Sequence, residues 1–115
     1  MKIKDLAKLP GLSLLQGQGD LDGVVSGGYA GDLLSDVMGH AGERIVWVTC
    51  QTHENIVAVA RLKNLAAIII VNGRRPDEAV LKRARDERVP IFSTAEPAFA
   101  VCGSLFALIR EPKDR

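Results

Sequence analysis

The sequence predicts a single α/β domain of three layers, a mainly parallel sheet with helices on both faces. Three observations lead there. Short apolar, β-branched runs at "RIVWVTC" (44–50), "AAIIIV" (66–71) and "VPIFST" (89–94) alternate with segments of helical periodicity, the pattern of βα units. The runs at 44–50 and 66–71 are apolar throughout rather than at every second residue, as in strands buried on both faces. The length of 115 residues fits one domain and leaves little room for a second.

Each element can be justified in order. "KIKDLAKL" (2–9) is a short amphipathic segment ended by Pro10-Gly11. "LSLLQ" (12–16) reads as a short strand, "GQGDLDG" (17–23) as a turn-rich connector, and "GVVSGG" (23–28) as a second short strand running into a glycine turn. "YAGDLLSDVMGH" (29–40) reads as a helix, because Leu33, Leu34, Val37 and Met38 recur at helical spacing and Gly39 supplies a stop. After the strand at 44–50, "HENIVAVARLK" (53–63) is a helix with Thr52 as its expected N-cap. The strand at 66–71 leads through "NGRR" to Pro76, placed at the first position of the next helix. That helix carries only Val80, Leu81 and Ala84 as an apolar stripe, with Glu78 and Lys82 spaced to pair, so it lies on the surface. The strand at 89–94 is followed by "AEPAFAVCGSLFALI" (95–109), the last helix, and "REPKDR" (110–115) is a polar, frayed tail beyond a domain of residues 1–109.

Composition narrows the function. Hydrophobic residues make up 47% and charged residues 25%, a soluble globular balance that excludes extensive disorder. A net charge of +1 gives no general attraction to nucleic acid or to an anionic membrane. The longest apolar runs are too short to span a bilayer, and the N-terminus lacks the apolar core of a signal peptide. Two cysteines, Cys50 and Cys102, make no disulfide framework. A cytoplasmic protein with reduced thiols is expected.

In open α/β sheets, ligands bind beyond the carboxyl ends of the strands. Those ends are expected at Ser26-Gly27-Gly28, Cys50-Gln51-Thr52-His53, Asn72-Gly73-Arg74-Arg75 and Ser93-Thr94. Each precedes a helix start, where free N–H groups and the helix dipole favour an anion. The expected ligand set is Gly27, Gly28, Gln51, Thr52, His53, Asn72, Gly73, Arg74 and Thr94. Gln51, His53 and Arg74 would contribute side-chain contacts, and Gly27, Gly28 and Gly73 backbone N–H groups. Capping alone also explains Thr52 and Thr94, and Ser93 with Glu96 has the spacing of a capping box. Arg74 and Arg75 read equally well as solvated surface charges.

Other motifs fall away. "SGGYAG" (26–31) has Ser26 where a dinucleotide fingerprint begins with glycine, and no acidic residue ends the next strand. "GQGDLDG" lacks the Lys-Ser/Thr of a phosphate-binding loop. His40, His53, Cys50 and Cys102 have no metal-ligand spacing, so neither metal nor cofactor is expected. Cys50 with His53 nearby is the one tempting nucleophile, yet no acid–base–nucleophile set can be completed around it. The last helix is apolar on two sides. Ala98, Val101, Leu105 and Leu108 form one stripe, and Phe99, Cys102, Phe106 and Ile109 another. One stripe packs on the sheet, and the other is expected to meet a second chain in a homodimer, with the interface drawn from Ala98, Phe99, Val101, Cys102, Leu105, Phe106 and Ile109. The alternative is that the N-terminal segment covers it.

Three stretches, "GGYAGDLLSDVMGHA", "TCQTHENIVAVARLKNLAAIIIVNGRRPDE" and "PIFSTAEPAFAVCGSL", together resemble a DRTGG domain over residues 12–108. The most specific part is "GDLLSDVM" followed by "QTHENIVAVA". Where many members carry a Thr-Gly-Gly-like turn, this chain has Val71-Asn72-Gly73. The resemblance implies a fold similar to the N-terminal domain of HPr kinase/phosphorylase. Such domains also occur attached to phosphotransacetylases and CBS-containing pyrophosphatases, and the catalytic machinery lies elsewhere in those proteins. The implied role is a regulatory or assembly module that self-associates; the polar strand ends add the expectation that it is non-catalytic and binds a small anion, a nucleotide or a partner segment there. The alternatives are a structural subunit of a larger complex and, behind it, a thiol-dependent enzyme using Cys50 and His53.

Overall fold

The structure is a computed structural model that describes residues 1–111. Its elements run from a 3-10 helix (Ile3–Lys8) through β1 (Ser13–Gln16), β2 (Gly27–Ala30), α1 (Leu34–His40), β3 (Ile45–Thr49), α2 (Asn55–Leu62), β4 (Ala67–Ile70), α3 (Glu78–Glu87) and β5 (Ile91–Ser93) to α4 (Ala98–Arg110). The five strands form one sheet in the order β1-β5-β4-β3-β2. β2, β3, β4 and β5 are parallel, and β1 joins β5 antiparallel with a register shift between Leu14 and Gln16.

Side-chain alternation divides the sheet into two faces. Ile45 and Trp47 of β3 and Ile68 and Ile70 of β4 point to one side, where Val37 of α1, Ile56, Val57 and Ala60 of α2, and Val80 and Ala84 of α3 cover them. Val46, Val48, Ala67 and Ile69 point to the other, under Ile3 and Leu6 of the 3-10 helix, Leu9 just past its end, and Val101 and Leu105 of α4. Both faces are buried, so β3 and β4 read as unbroken apolar runs, and the layering is the three-layer α/β arrangement expected. Buried Gln16 is satisfied, its amide donating to the carbonyls of Ala84 and Val89 where α3 ends.

The elements differ from the sequence reading in local ways. The second strand starts and ends later than expected, at 27–30 instead of 23–28, and the following helix loses its first turn. Tyr29 favours a strand, its hydroxyl donates to Asp36 of α1, and Gly28 sits where Leu105 of α4 approaches so closely that a Cβ would lie 3.2 Å from Leu105 Cδ2. Val24 and Val25 pair instead with the N-terminus, through a Lys2–Val24 bridge and a Val25 N–H to Met1 carbonyl bond. Thr52 does not cap α2; the Asn55 N–H bonds to Nδ1 of His53. Pro76 precedes the first turn of α3, and Asp77 is the cap, accepting from the Val80 N–H. Lys82 pairs with Asp86 instead of Glu78. Ser93 is buried in β5 and forms no capping box; Thr94 Oγ1 accepts the Glu96 N–H, and Pro97 precedes α4. Arg110, expected to open the tail, closes α4; of the tail expected over 110–115, residues 112–115 lie outside the described residues.

Candidate functional site

Parallel pairing of β2, β3, β4 and β5 sets their carboxyl ends side by side, and polar bonds fasten the loops there in two neighbouring pairs. Asp32, between β2 and α1, is the principal fastener. Its Oδ1 accepts from the Thr49 hydroxyl at 2.8 Å and from the Cys50 N–H at 2.8 Å. Its own carbonyl accepts from the Gln51 amide at 2.9 Å. The Cys50 N–H bond, aided by bonds from the Thr49 hydroxyl and Cys50 itself and by the nearby Arg74 guanidinium, holds the Asp32 carboxyl below the usual carboxylate range against an opposing contribution from burial. One residue earlier, the Gly31 carbonyl accepts from Trp47 Nε1 at 2.8 Å. The β2–α1 loop is thus tied to both the end and the middle of β3.

The β4 and β5 ends are joined by a second set of bonds. Asn72 and Gly73 both take left-handed backbone conformations, at φ of 63° and 71°. That turn aims the Asn72 N–H at the Glu96 carbonyl and the Gly73 N–H at the Thr94 carbonyl, at 3.0 and 2.9 Å. Asn72, Gly73, Arg74 and Arg75 remain exposed.

Next to these loops, Gln51, Thr52, His53 and Glu54 of the β3–α2 junction face Asp77, Ala79 and Val80 of α3 across an open groove of about 360 Å³. The Asn55 N–H occupies His53 Nδ1, so a neutral imidazole carries its proton on Nε2 and can donate from there. Glu54 pairs with Arg83 of α3 at 3.7 Å. The groove therefore joins an imidazole donor and an amide to the Asp77 carboxylate, with the Arg74 and Arg75 loop on the adjacent strand end. Such a set can recognise phosphate or carboxylate through its cations and ring N–H, and a sugar or base through its amide and carboxylate.

The structure brings Gln51, Thr52, His53, Asn72, Gly73 and Arg74 to this one edge. Gly27 and Gly28 are not there. They occupy the first half of β2, opposite Ile45 and Val46, because the strand continues through Tyr29 and Ala30. The expectation that Gly73 offers a free backbone N–H is also corrected, since Thr94 takes it. Thr94 is buried and its hydroxyl is engaged with Glu96. The sequence reading missed Asp32 by placing it inside a helix; Gly31-Asp32 after an aromatic strand residue is a turn signal that could have found it. Cys50 packs partly against the core under α4, and among the described residues no hydrogen bond joins it to His53. Nor does any group of three or more His, Cys, Asp or Glu among the described residues lie close enough to hold a metal.

Of the residues expected at an interface, Val101 and Leu105 are buried within the chain, and Ala98, Cys102 and Ile109 are half-buried. Phe99 and Phe106 are exposed. The N-terminal segment packs beside Val101 and does not reach the Phe99 side; the cleft between them is lined by Leu9, Leu12, Ala100 and Ser104. No helix among the described residues is long and apolar enough to cross a membrane.

No curated protein matches the chain. Among solved structures, the CBS and DRTGG domains of the regulatory region of Clostridium perfringens pyrophosphatase, in complex with the activator diadenosine tetraphosphate, share the fold with a TM-score of 0.67 at 10% identity. The alignment covers 90% of this chain and 44% of that one, so the chain spans less than half the length of this neighbour. The family model of the DRTGG domain matches residues 13–107, nearly the whole sheet and its helices, and the chain belongs to the DRTGG domain family.

Proposed function

We propose that this DRTGG domain is a non-catalytic, cytoplasmic regulatory module that senses a nucleotide or other small anion at the carboxyl edge of its sheet and works as a homodimer. The observation that carries the reading is the placement of Gln51 and Arg74 near Asp32, with His53 two residues beyond Gln51, on the ends of neighbouring strands and beside an open groove. Arg74 supplies charge, the His53 imidazole a directed donor, and Gln51 and Asp77 polar contacts for a sugar or base. The structural neighbour supports the class of ligand, being a regulatory region in complex with an activating nucleotide.

Calorimetric titration of the full chain with diadenosine tetraphosphate, ATP and inorganic phosphate tests it. At least one of the three binds saturably, and Arg74→Ala or His53→Ala weakens that binding about tenfold, the loss expected for one charge-assisted or directed hydrogen bond. Absence of heat with all three probes, or binding indifferent to both substitutions, overturns the proposal.

A second reading, an assembly module of a larger complex, is favoured by one observation, the uncovered Phe99 and Phe106 on α4. It shares the same interface and differs in requiring no ligand response.

A further inference from the structure

The amino ends of the parallel strands hold a second concavity, at the edge of the sheet opposite Gln51 and Arg74. Arg44, Ala66 and Pro90, the residues ahead of β3, β4 and β5, line a pocket of about 260 Å³ together with Arg61 of α2, Asn64 just past it and Arg88 just past α3. Its floor is apolar, with Leu65 and Val89 both buried. Three arginines therefore reach it from three separate junctions. Arg44 and Arg88 hold left-handed backbone, at φ of 61° and 60°, and Asn64 does so at 54°. Ending a helix explains that conformation at 64 and 88, but glycine or asparagine takes it at lower cost than arginine. Nor do the helix ends call for further cations, since α2 and α3 already carry Arg61 and Arg85 in their last turns. The connector over 17–23 is shaped to the same pocket. A Cβ at Gly19 would lie 2.8 Å from the Arg88 carbonyl oxygen, and one at Gly23 would strike the Arg44 guanidinium.

We propose that this pocket is a second ligand site, which takes an organic anion: a phosphate or carboxylate against Arg44 and Arg88, on an apolar body seated on Leu65, Val89 and Pro90. The charges favour an anion. Arg61 is paired with Glu87 at 3.3 Å. Arg44 uses only its Nε, on the Val24 carbonyl at 3.3 Å, and its terminal nitrogens have no bond among the described residues. Arg88 is exposed, and its side chain has no partner among the described residues. Outside the Arg61–Glu87 pair, Asp20 is the one acidic residue of the lining, and its Oδ1 already accepts the Asp22 N–H at 3.1 Å. Two arginines thus face one carboxylate, and a guanidinium presents paired donors to a phosphate or carboxylate. The walls are fixed beforehand. The Arg44 N–H donates to the Asn64 carbonyl and the Ala66 N–H to the Ile45 carbonyl, both at 2.8 Å, so binding orders side chains only. The pocket has the size of a small-molecule site, and its apolar floor distinguishes it from a site for inorganic phosphate.

Amide chemical-shift titration of the full chain with phenyl phosphate, benzoate and inorganic phosphate, at constant ionic strength, is the test, each variant's spectrum reporting that it is folded. Phenyl phosphate or benzoate shifts Arg44, Asn64–Ala66 and Arg88–Val89 saturably, and the tighter of the two identifies the head group. Arg44→Gln and Arg88→Gln each weaken that binding about tenfold, the loss of one charge-assisted bond. Arg85→Gln, at an exposed residue of α3 outside the pocket, leaves it unchanged. Inorganic phosphate binds about tenfold more weakly or worse, having no apolar body to bury. Phosphate binding as tightly as both organic anions overturns the ligand class. No saturable shift at these residues with either organic anion, or binding indifferent to both pocket substitutions, overturns the site. Shifts confined to Gln51–His53 and Asn72–Arg75 overturn this proposal and leave the strand-end reading standing, whereas a failure of nucleotide binding there leaves this one standing.

Discussion

Asp32 joins two loops through one carboxylate oxygen, and its removal would leave the buried Thr49 hydroxyl and the Cys50 N–H without their acceptor. An unsatisfied donor costs about 1–3 kcal/mol when buried. Asp32 itself is exposed, so solvent screening reduces that figure. Asp32→Ala is expected to cost about 1 kcal/mol in chemical denaturation. The charge has its own signature. Asp32 is held ionised below the usual carboxylate range in the folded chain. Its contribution is therefore fully present above the unfolded value of about 3.9 and fades as pH falls through the lower folded value. Asp32→Asn keeps an acceptor but no charge. The stability difference between wild type and Asp32→Asn should be present at neutral pH and vanish in strong acid, and thermal melts across that range measure it. Equal differences at both ends would contradict the assignment.

At the level of elements, β2 shows what a strand at the sheet margin demands. Gly27 has room for a Cβ, its nearest contact being Ile45 Cγ2 at 3.7 Å, whereas Gly28 meets Leu105 at 3.2 Å. Gly27→Ala should be tolerated, and Gly28→Val should cost about 1–3 kcal/mol by pushing α4 off the sheet; urea unfolding of the two variants separates them. Gly103→Ala should instead stabilise the isolated chain, by up to about 1 kcal/mol from helix propensity, since nothing stands in its way. These contrasts explain which elements could be read from residue order. β3 and β4 are buried on both faces and announce themselves as the runs Ile-Val-Trp-Val-Thr and Ala-Ile-Ile-Ile, with no charged residue in either. β2 is short, contains two glycines and owes its place to Leu105, a residue 77 positions away in the chain. No local pattern carries that contact. The helix starts were misplaced for a related reason: His53, not Thr52, accepts an N–H at the start of α2, and Asp77 caps α3 where Pro76 was expected to be its first residue. Several residues near each start can serve, and only the path of the incoming loop selects one.

For the whole molecule, the parallel order of β2 to β5 turns scattered junctions into one edge. Gln51, His53 and Arg74 were legible in the sequence because polar residues at strand ends are conspicuous between apolar runs. Asp32 was not, because its role depends on β2 and β3 being neighbours. Trp47, the sole tryptophan, is fully buried and bonded to the Gly31 carbonyl beside that edge. Ligands that shift the β2–α1 loop should change its emission. The most direct measurement is an amide chemical-shift titration of the full chain with ATP. The account predicts saturable shifts concentrated at Asp32, Gln51–His53 and Asn72–Arg75. Shifts confined to α4 or to the opposite ends of the strands, or none at saturating nucleotide, would contradict it.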